Sequence, residues 1–443
     1  MIILKKTYLL ILILGSSISA QTIDSLTQTG RNFFRVDSIE IVGNKETEDF
    51  VMLRELTFSV GDTVDEDILH FNRERIFSLG IFTRVELVHR VENKKNIVQI
   101  RIEESWNIIP VPFIIIRERK FSRTSFGVSL KYKNFRGRNE TIRATVVVGY
   151  DPFFSLEYEN PNLIYSKEIA FYLAGIYGSP INKSPTLEKA NGGSFDFKTF
   201  GISTTLGKRL TRVSNLYFSL SYSKLQAPSN KINNYMASGT STDENFGLGF
   251  SFLFDSRNLK QYASKGNYLF LNYIYNGLFN NQIDYGAVNI DLRDYRKVYA
   301  PLMIKTQISA RLTFGGYVPH YAYSMLGYDY YTRGNRYLTR EGNHRVLGTI
   351  EIGYPILPEW NFGIKVPVLP NSLTRARIAI IASVFADAGT IFNKTSSLCL
   401  NEFNFGYGGG ISLLILPYNA FRIQYAFNEF GKGELILDTQ ISF

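Results

Sequence analysis

Period-two alternation of apolar and polar side chains, repeated in many short segments, most restricts how this 443-residue chain can fold. In segment 305–314, apolar or small residues at the even positions alternate with polar residues at the odd positions. Segments 141–148, 216–222, 421–427 and 434–443 follow the same pattern. Successive side chains of a strand point to opposite faces, so each segment predicts a β-strand with one apolar and one polar face.

Such segments, separated by turn residues, continue from Trp106 to Phe443. In a soluble sandwich their apolar faces would cover a core, whereas in an outer-membrane barrel they would face lipid and the polar faces would line a lumen. At roughly 20 residues per strand and connection, this length corresponds to about 16 strands. An open edge would leave backbone groups unpaired in lipid. We therefore predict that residues 105–443 form a closed transmembrane antiparallel β-barrel.

The first 20 residues have the pattern of a cleaved export signal. Lys5 and Lys6 precede an apolar stretch, Tyr8–Leu14, and small residues end the segment at Ala20. The apolar stretch is too short to span a bilayer, which argues against a membrane anchor. Gln21 rather than cysteine follows the predicted cleavage position, so a lipoprotein is not expected. Export favours the barrel because a barrel requires an outer membrane.

A linker at residues 21–34 precedes a predicted small α+β module at residues 35–104. Apolar residues alternate in its strands and have helical spacing in its helices, which together predict the order βααββ. The predicted elements are strand 35–42, helix 47–56, helix 65–79, strand 82–88 and strand 97–102.

Composition excludes several functions. The single cysteine, Cys399, permits neither an internal disulfide nor a cysteine metal site, and the four histidines lack zinc-ligand spacing. There is no Gly-x-Ser-x-Gly motif or other enzyme signature. The net charge of +10 is not arranged as a basic run interleaved with aromatic residues, so nucleic-acid binding is not predicted. We expect no enzyme activity, cofactor or metal, and we assign the charge to the lumen, the loops and anionic lipid headgroups.

Landmarks along the N-terminal module carry a family resemblance. They are Ile41-Val42-Gly43-Asn44, Gly61, Leu79-Gly80-Ile81-Phe82 and Ile102-Glu103-Glu104. With the βααββ order they resemble a POTRA domain. This resemblance implies a periplasmic module that binds unfolded or exported client polypeptides by strand addition at its exposed sheet edges.

Four further landmarks mark the barrel region. They are 133–138 with Glu159-Asn160-Pro161, Asp255-Ser256-Arg257 with Gly266, Thr332-Arg333-Gly334-Asn335, and Phe385-Ala386-Asp387-Ala388-Gly389. Together they resemble BamA/TamA-like members of the Omp85 superfamily, which are integral outer-membrane proteins. The resemblance implies that the loop bearing Arg333 folds into the lumen. Thr332 and Asn335 depart from the aliphatic and aromatic residues that the family usually has there.

Alternation turns Asp387 towards the lumen. A carboxylate buried there requires a partner, and a guanidinium can meet it with two hydrogen bonds. From the residues alone, Arg333 is one such partner, and an exposed loop arginine with a solvated aspartate is an equal alternative. The resemblance favours the Arg333–Asp387 pair.

The resemblance also implies function. The aromatic residue Phe443 resembles the C-terminal signal that barrel-assembly machinery recognises. We expect a factor for outer-membrane protein insertion or polypeptide translocation, with an accessory role because only one POTRA-like module is present. An unstable seam between strands near Trp106–Glu118 and Glu434–Phe443 would template client strands. A dedicated two-partner-type secretion pore and a passive or structural barrel remain alternatives. Expected partners are client polypeptides, outer-membrane lipid, and accessory periplasmic or lipoprotein subunits.

Overall fold

The computed structural model describes residues 32–116, 121–280, 282–299, 301–327, 330–364, 367, 374–393 and 400–438. The predicted export signal, most of the linker, Cys399 and the terminal Phe443 lie outside the described residues. The described chain comprises an N-terminal α+β module and a sixteen-stranded antiparallel sheet.

The N-terminal module has the predicted βααββ elements and two additional short strands, which pair with each other. Its elements are β1 (Phe34–Arg35), β2 (Ser38–Val42), α1 (Asp49–Leu53), β3 (Thr63–Val64), α2 (Glu66–Phe77), β4 (Phe82–Glu92) and β5 (Lys95–Glu104). Strands β2, β5 and β4 form one sheet in that spatial order, with β2 parallel and β4 antiparallel to β5. The predicted first strand is wrong in its extent, because residues 34–35 pair instead with β3.

Both helices of the module are shorter than predicted, for local reasons. The backbone N–H and hydroxyl of Thr47 both donate to the Glu104 carboxylate, at 2.8 and 2.7 Å, so helix α1 begins only at Asp49. Helix α2 begins after Asp65, whose side chain accepts from the N–H of Ile68 at 2.9 Å as an N-cap. Gly80, at φ +71°, follows the helix in the left-handed conformation typical of helix C-termini.

The predicted antiparallel barrel with about 16 strands is confirmed. Its strands are β6 (Ile108–Ile116), β7 (Thr124–Phe135), β8 (Glu140–Gly149), β9 (Phe153–Ile164), β10 (Ile169–Gly178), β11 (Lys198–Arg209), β12 (Ser214–Gln226), β13 (Thr242–Asp255), β14 (Gly266–Asn276), β15 (Asp284–Tyr299), β16 (Leu302–Tyr317), β19 (His344–Gly363), β20 (Arg375–Phe392), β21 (Asn404–Leu416), β22 (Asn419–Asn428) and β23 (Gly433–Asp438). Each strand pairs with its neighbour in chain order, apart from β17 (Ser324–Leu326) and β18 (Arg340–Gly342), which form a hairpin between β16 and β19.

The alternation seen in the sequence corresponds to the two faces of the barrel wall. On β16, Ile308 and Phe314 are 43% and 49% exposed on the outside, whereas Lys305 and Thr313 are 1% and 0% exposed on the inside. Charged and polar side chains thus line the lumen and apolar side chains cover the outer wall. A short helix, α3 (Pro185–Asn191), lies between β10 and β11. No helix within the described ranges is long and apolar enough to span a membrane.

Candidate functional site: a loop locked inside the barrel

The connection between β16 and β19, residues 318–343, enters the barrel, and we call it the lumen loop. Its tip is enclosed, because Thr332, Arg333 and Asn335 are 0%, 7% and 7% exposed. A tip so deeply buried must satisfy its polar groups within the barrel.

Arg333 meets Asp387 through three hydrogen bonds. Its Nε and Nη2 donate to the two carboxylate oxygens of Asp387, at 2.7 and 2.6 Å, and its backbone N–H donates to Asp387 Oδ2 at 2.9 Å. Two parallel N–H bonds from a guanidinium make a strong, directional contact with a carboxylate. The backbone bond means that Asp387 holds the loop's main chain as well as its side chain.

Two further charges extend this contact into a network. Arg333 Nη1 donates to Glu351 Oε2 at 3.0 Å, and Lys305 Nζ lies 3.6 Å from Glu351 Oε1. Lys305 and Glu351 are directly opposite each other on β16 and β19. With Asp387 on β20, three neighbouring strands of the sheet supply one side chain each to the network around the loop arginine. Two positive and two negative groups balance, which is what a cluster removed from water requires.

Aromatic rings cover the two cations of this network. The Arg333 guanidinium lies 3.4 Å from the centre of the Phe385 ring, and Lys305 Nζ lies 3.3 Å from that of Tyr262. Such cation–π contacts are strongest where water is excluded. Phe385 therefore supports Arg333 from the same strand that carries Asp387.

Glycines allow the loop to approach the wall. Gly334 has φ +93°, and a Cβ there would lie 2.7 Å from the backbone carbon of Phe427. A Cβ at Gly406 of β21 would lie 1.7 Å from the carbonyl oxygen of Arg333. A Cβ at Gly389 would come within 3.1 Å of a Thr332 methyl carbon. Side chains at these positions would displace the loop.

Thr332 and Asn335, the two residues that depart from the family pattern, both take part in hydrogen bonds in this structure. The Asn335 side-chain amide donates to the Phe405 carbonyl at 2.9 Å and to Glu429 at 2.8 Å, which joins the tip to β21 and to the β22–β23 turn. Thr332 is fully buried, and its carbonyl accepts from the N–H of Asn335 at 2.9 Å. A polar residue after the Arg-Gly pair thus anchors the loop by hydrogen bonds.

The Asp255–Arg257–Gly266 motif does not join this network. It shapes the turn between β13 and β14, which contacts the N-terminal module, and Tyr262 of the same turn is the residue whose ring covers Lys305. Arg257 donates from Nε and Nη2 to the Asp255 carboxylate at 2.8 and 2.9 Å. Gly266, at φ +113°, permits close contact, because a Cβ would lie 2.4 Å from the Ser256 carbonyl oxygen. The backbone N–H of Lys260 in this turn donates to the Ser78 hydroxyl of the N-terminal module at 3.0 Å.

Ion pairs join the N-terminal module to other parts of the barrel. Arg377 of β20 meets Glu74 of α2 at 2.9 Å. Glu55 accepts from Arg75 of the same module at 2.8 Å and from Arg209 of β11 at 2.9 Å. Burial alone would raise the pKa of Glu55, but the nearby positive charges hold that pKa below its ordinary value. Glu55 is therefore a carboxylate when the module is docked.

Apolar packing reinforces these pairs. The core of the N-terminal module, which includes Phe77 and Phe82, is continuous with buried residues of the barrel such as Leu259 and Ile381. The module consequently covers one mouth of the barrel by direct packing.

Comparison with known proteins identifies the family. A family model described as the Omp85 superfamily domain matches residues 134–443, which is more than half of the chain. The chain belongs to the Omp85 superfamily. A second family model, of the POTRA type and described as surface antigen variable number repeat, matches residues 34–105 of this Omp85 protein. The N-terminal module is its POTRA domain.

The chain was also compared with solved structures. The Omp85 protein is similar to BamA from Haemophilus ducreyi lacking POTRA domains 1–3, with 17% identity, a TM-score of 0.53, and coverage of 92% of this chain and 83% of that chain. It is also similar to CdiB from Acinetobacter baumannii (12% identity, TM-score 0.48, 91% and 72% coverage). CdiB from Escherichia coli has 9% identity, a TM-score of 0.48, and 95% and 91% coverage. A comparison with curated protein sequences found no match.

Membership of this family gives the orientation of the molecule. An Omp85 barrel with a POTRA domain is integral to the outer membrane, and its POTRA domain lies in the periplasm. The mouth covered by the POTRA domain is therefore periplasmic. The lumen loop connects the opposite, extracellular ends of β16 and β19.

Sequence reasoning missed two members of the network, Lys305 and Glu351. Both lie at inward positions of alternating strands, and a charged residue at an inward position was the available signal. Their pairing depends on strand register across the lumen loop, which alternation does not supply. Within the described residues, no group of three or more histidine, cysteine or acidic side chains is placed to hold a metal ion.

Proposed function

We propose that this Omp85 protein inserts or translocates polypeptides at the outer membrane, as an accessory factor whose POTRA domain, residues 35–104, receives the client. The observation that carries this proposal is the occupation of both ends of the lumen. The lumen loop is ion-paired inside the barrel, and the POTRA domain packs against the periplasmic mouth. That arrangement suits a protein that handles polypeptides at its edges better than an open passage for small solutes.

The POTRA sheet supports a route for client binding. Both edge strands, β2 and β4, pair with β5. Strand β4 lies beside β20 of the barrel, whereas β2 has no contact of that extent with a described barrel strand. An edge strand offers unpaired backbone groups to an extended peptide. We therefore place client strand addition at β2.

The first barrel strand supports the proposed seam. Strand β6 contains Pro110 and Pro112, and its ladder with β7 continues unbroken from Ile108 to Ile116. Proline has no N–H, and residues two apart direct their backbone groups to the same side of a strand. An unbroken ladder requires that the missing donors face away from β7, towards the side where β6 would meet the last strand. A seam lacking two donors is weaker than an ordinary strand pair.

The test is to compare outer-membrane proteomes of cells without the protein and cells complemented with defined variants. Wild-type protein should restore barrel proteins that are depleted in its absence. The double substitution Pro110→Ala and Pro112→Ala restores two donors to the seam edge and should reduce that rescue. Pro228→Ala, in an exposed extracellular turn, is the matched control and should rescue fully.

The result also separates the alternatives. Loss of one exported protein alone would favour a dedicated secretion pore. An unchanged proteome in cells lacking the protein, together with small-solute conductance by the purified barrel, would refute the proposal in favour of a passive channel.

A further inference from the structure

Two arginines on adjacent strands lie side by side in the lumen. Arg311 of β16 and Arg345 of β19 are directly opposite each other in register. Both line a cavity of about 690 Å³ beside the lumen loop. Opposed residues on antiparallel strands have Cβ atoms about 5 Å apart, and like charges at such positions destabilise the pair. The arrangement therefore requires an explanation.

The other arginines that line this cavity each have a carboxylate partner. The pairs are Arg293–Asp291 at 2.5 Å, Arg333–Asp387 at 2.6 Å and Arg422–Asp438 at 2.9 Å. The cavity is thus provided with a counter-charge for every arginine except the two that face each other.

Arg311 and Arg345 have unsatisfied donors. Across the part of the chain that the structure describes, neither forms an ion pair, and the Nε of each is buried without a hydrogen-bond partner. Arg345 is only 5% exposed. Its guanidinium lies 3.4 Å from the centre of the Tyr330 ring, so the tyrosine covers one face while the Nε–H group stays available.

The surroundings add positive charge and space. Lys183, Arg311, Tyr330 and Arg345 also line an adjoining cavity of about 290 Å³ next to the lumen loop. Buried N–H groups normally have partners, and guanidinium groups match tetrahedral oxyanions with paired hydrogen bonds. A small oxyanion would satisfy the free donors and cancel the repulsion between the two arginines.

We propose that Arg311 and Arg345 form a binding site for a phosphate-type oxyanion, taken either as free inorganic phosphate or as the phosphate monoester of a lipid headgroup. The bound anion joins β16 to β19 and lies against Tyr330, so it also steadies the lumen loop. The site is separate from the Arg333–Asp387 pair, which already has its own counter-charges.

Calorimetric titration of the purified full-length barrel in non-ionic detergent tests the site. The probes are inorganic phosphate and dihexanoyl phosphatidic acid, each at constant ionic strength in chloride. Wild-type protein should bind at least one probe with about one-to-one stoichiometry. Arg311→Gln and Arg345→Gln should each weaken binding by at least about tenfold, because a hydrogen bond to a charged group is lost.

A double substitution in the same cavity that leaves the net charge unchanged provides the control. Arg293→Gln combined with Asp291→Asn removes an ion pair without changing the net charge and should leave the affinity unaltered. Tighter binding of phosphatidic acid than of inorganic phosphate assigns the site to a lipid headgroup, and equal binding assigns it to the free anion. Binding of neither probe, or binding that both arginine variants retain, overturns the proposal.

Discussion

The two ends of the barrel are both held by arginine–carboxylate pairs, but the pairs are built differently. At the lumen loop, Asp387 and Glu351 project from strand interiors and their side chains are 2% and 3% exposed. At the periplasmic mouth, Glu55 is enclosed, with its side chain 11% exposed, but other pairs reach solvent. The buried Glu74 shares Arg377 with Glu359, which is 45% exposed, and Glu168, which pairs with Arg54, is 36% exposed.

This difference separates a fixed element from a releasable one. Removing one partner of an enclosed pair leaves a charge without water or counter-ion, whereas partly exposed pairs are screened and contribute little. We therefore interpret the lumen loop as a permanent part of the barrel and the POTRA domain as docked in a way that the periplasmic solution can modulate.

The largest expected effect is at the loop tip. Arg333→Ala leaves Asp387 in the lumen without its ion-pair partner and leaves Glu351 with Lys305, and the free energy of unfolding should fall by about 3–5 kcal/mol. Denaturant unfolding in detergent, followed by the mobility shift on boiling, measures this change. A loss below about 1 kcal/mol would mean that the tip is exposed.

Steric exclusion of the loop should have the next largest effect. Gly406→Ala places a methyl group where the Arg333 carbonyl lies, at a cost of about 1–3 kcal/mol or more, and should make the loop sensitive to protease. Gly348→Ala is the matched control, because its nearest neighbours would be 3.9 Å away. Equal protease resistance in both variants would contradict the docked loop.

At the periplasmic mouth the effect should be smaller. Arg377→Gln breaks contacts to Glu74 and Glu359, and we expect a loss of about 1–2 kcal/mol in docking, between the values for exposed and enclosed pairs. Hydrogen exchange of helix α2 measures docking. Arg84→Gln, at a surface pair within the POTRA domain, should leave that exchange unchanged.

Acidification should loosen the docking of the POTRA domain. The pKa of Glu55 is lowered from 4.5 when it is docked, so its contribution is complete above about pH 5 and is lost as pH falls through the lowered pKa. Hydrogen exchange at the turn containing Arg212, whose carbonyl accepts from Arg75, should therefore increase at acidic pH. Glu55→Gln should make this exchange less dependent on pH. Unchanged pH dependence in that variant would assign the effect to other carboxylates.

Salt should produce the smallest difference between the two ends. At about 1 M salt the screening length is about 3 Å, so the Arg54–Glu168 pair should weaken, by less than about 1 kcal/mol. Protease sensitivity of the lumen loop should not change over the same range. Parallel loosening of both ends would show that the lumen loop is held no more firmly than the POTRA domain.

The sequence was sufficient for the architecture because lipid imposes a simple rule. Outer positions such as Ile308 must be apolar and inner positions such as Thr313 need not be, and this period of two identifies strands one by one. The βααββ order was equally readable from local spacing. The division of the first POTRA strand was not, because residues 34–35 pair with β3, far along the chain.

The network at the candidate site could be predicted only in part. Asp387 and Arg333 were found from short motifs, but Glu351 and Lys305 join them through the register of β16 against β19. That register is set across 26 intervening loop residues, from 318 to 343, and no local pattern encodes it. The docking of the POTRA domain through Arg377 likewise arises from tertiary packing of distant segments.

A double-mutant cycle on Arg333 and Asp387 tests the central claim, that this pair locks the loop inside the barrel, most directly. The free energy of unfolding is measured for wild-type protein, Arg333→Ala, Asp387→Ala and the double variant. Because the second removal no longer leaves an orphan charge, the double variant should cost less than the sum of the single variants, by about 1–3 kcal/mol. Strictly additive losses would show that the two side chains do not interact in the folded barrel, and the locked loop would have to be abandoned.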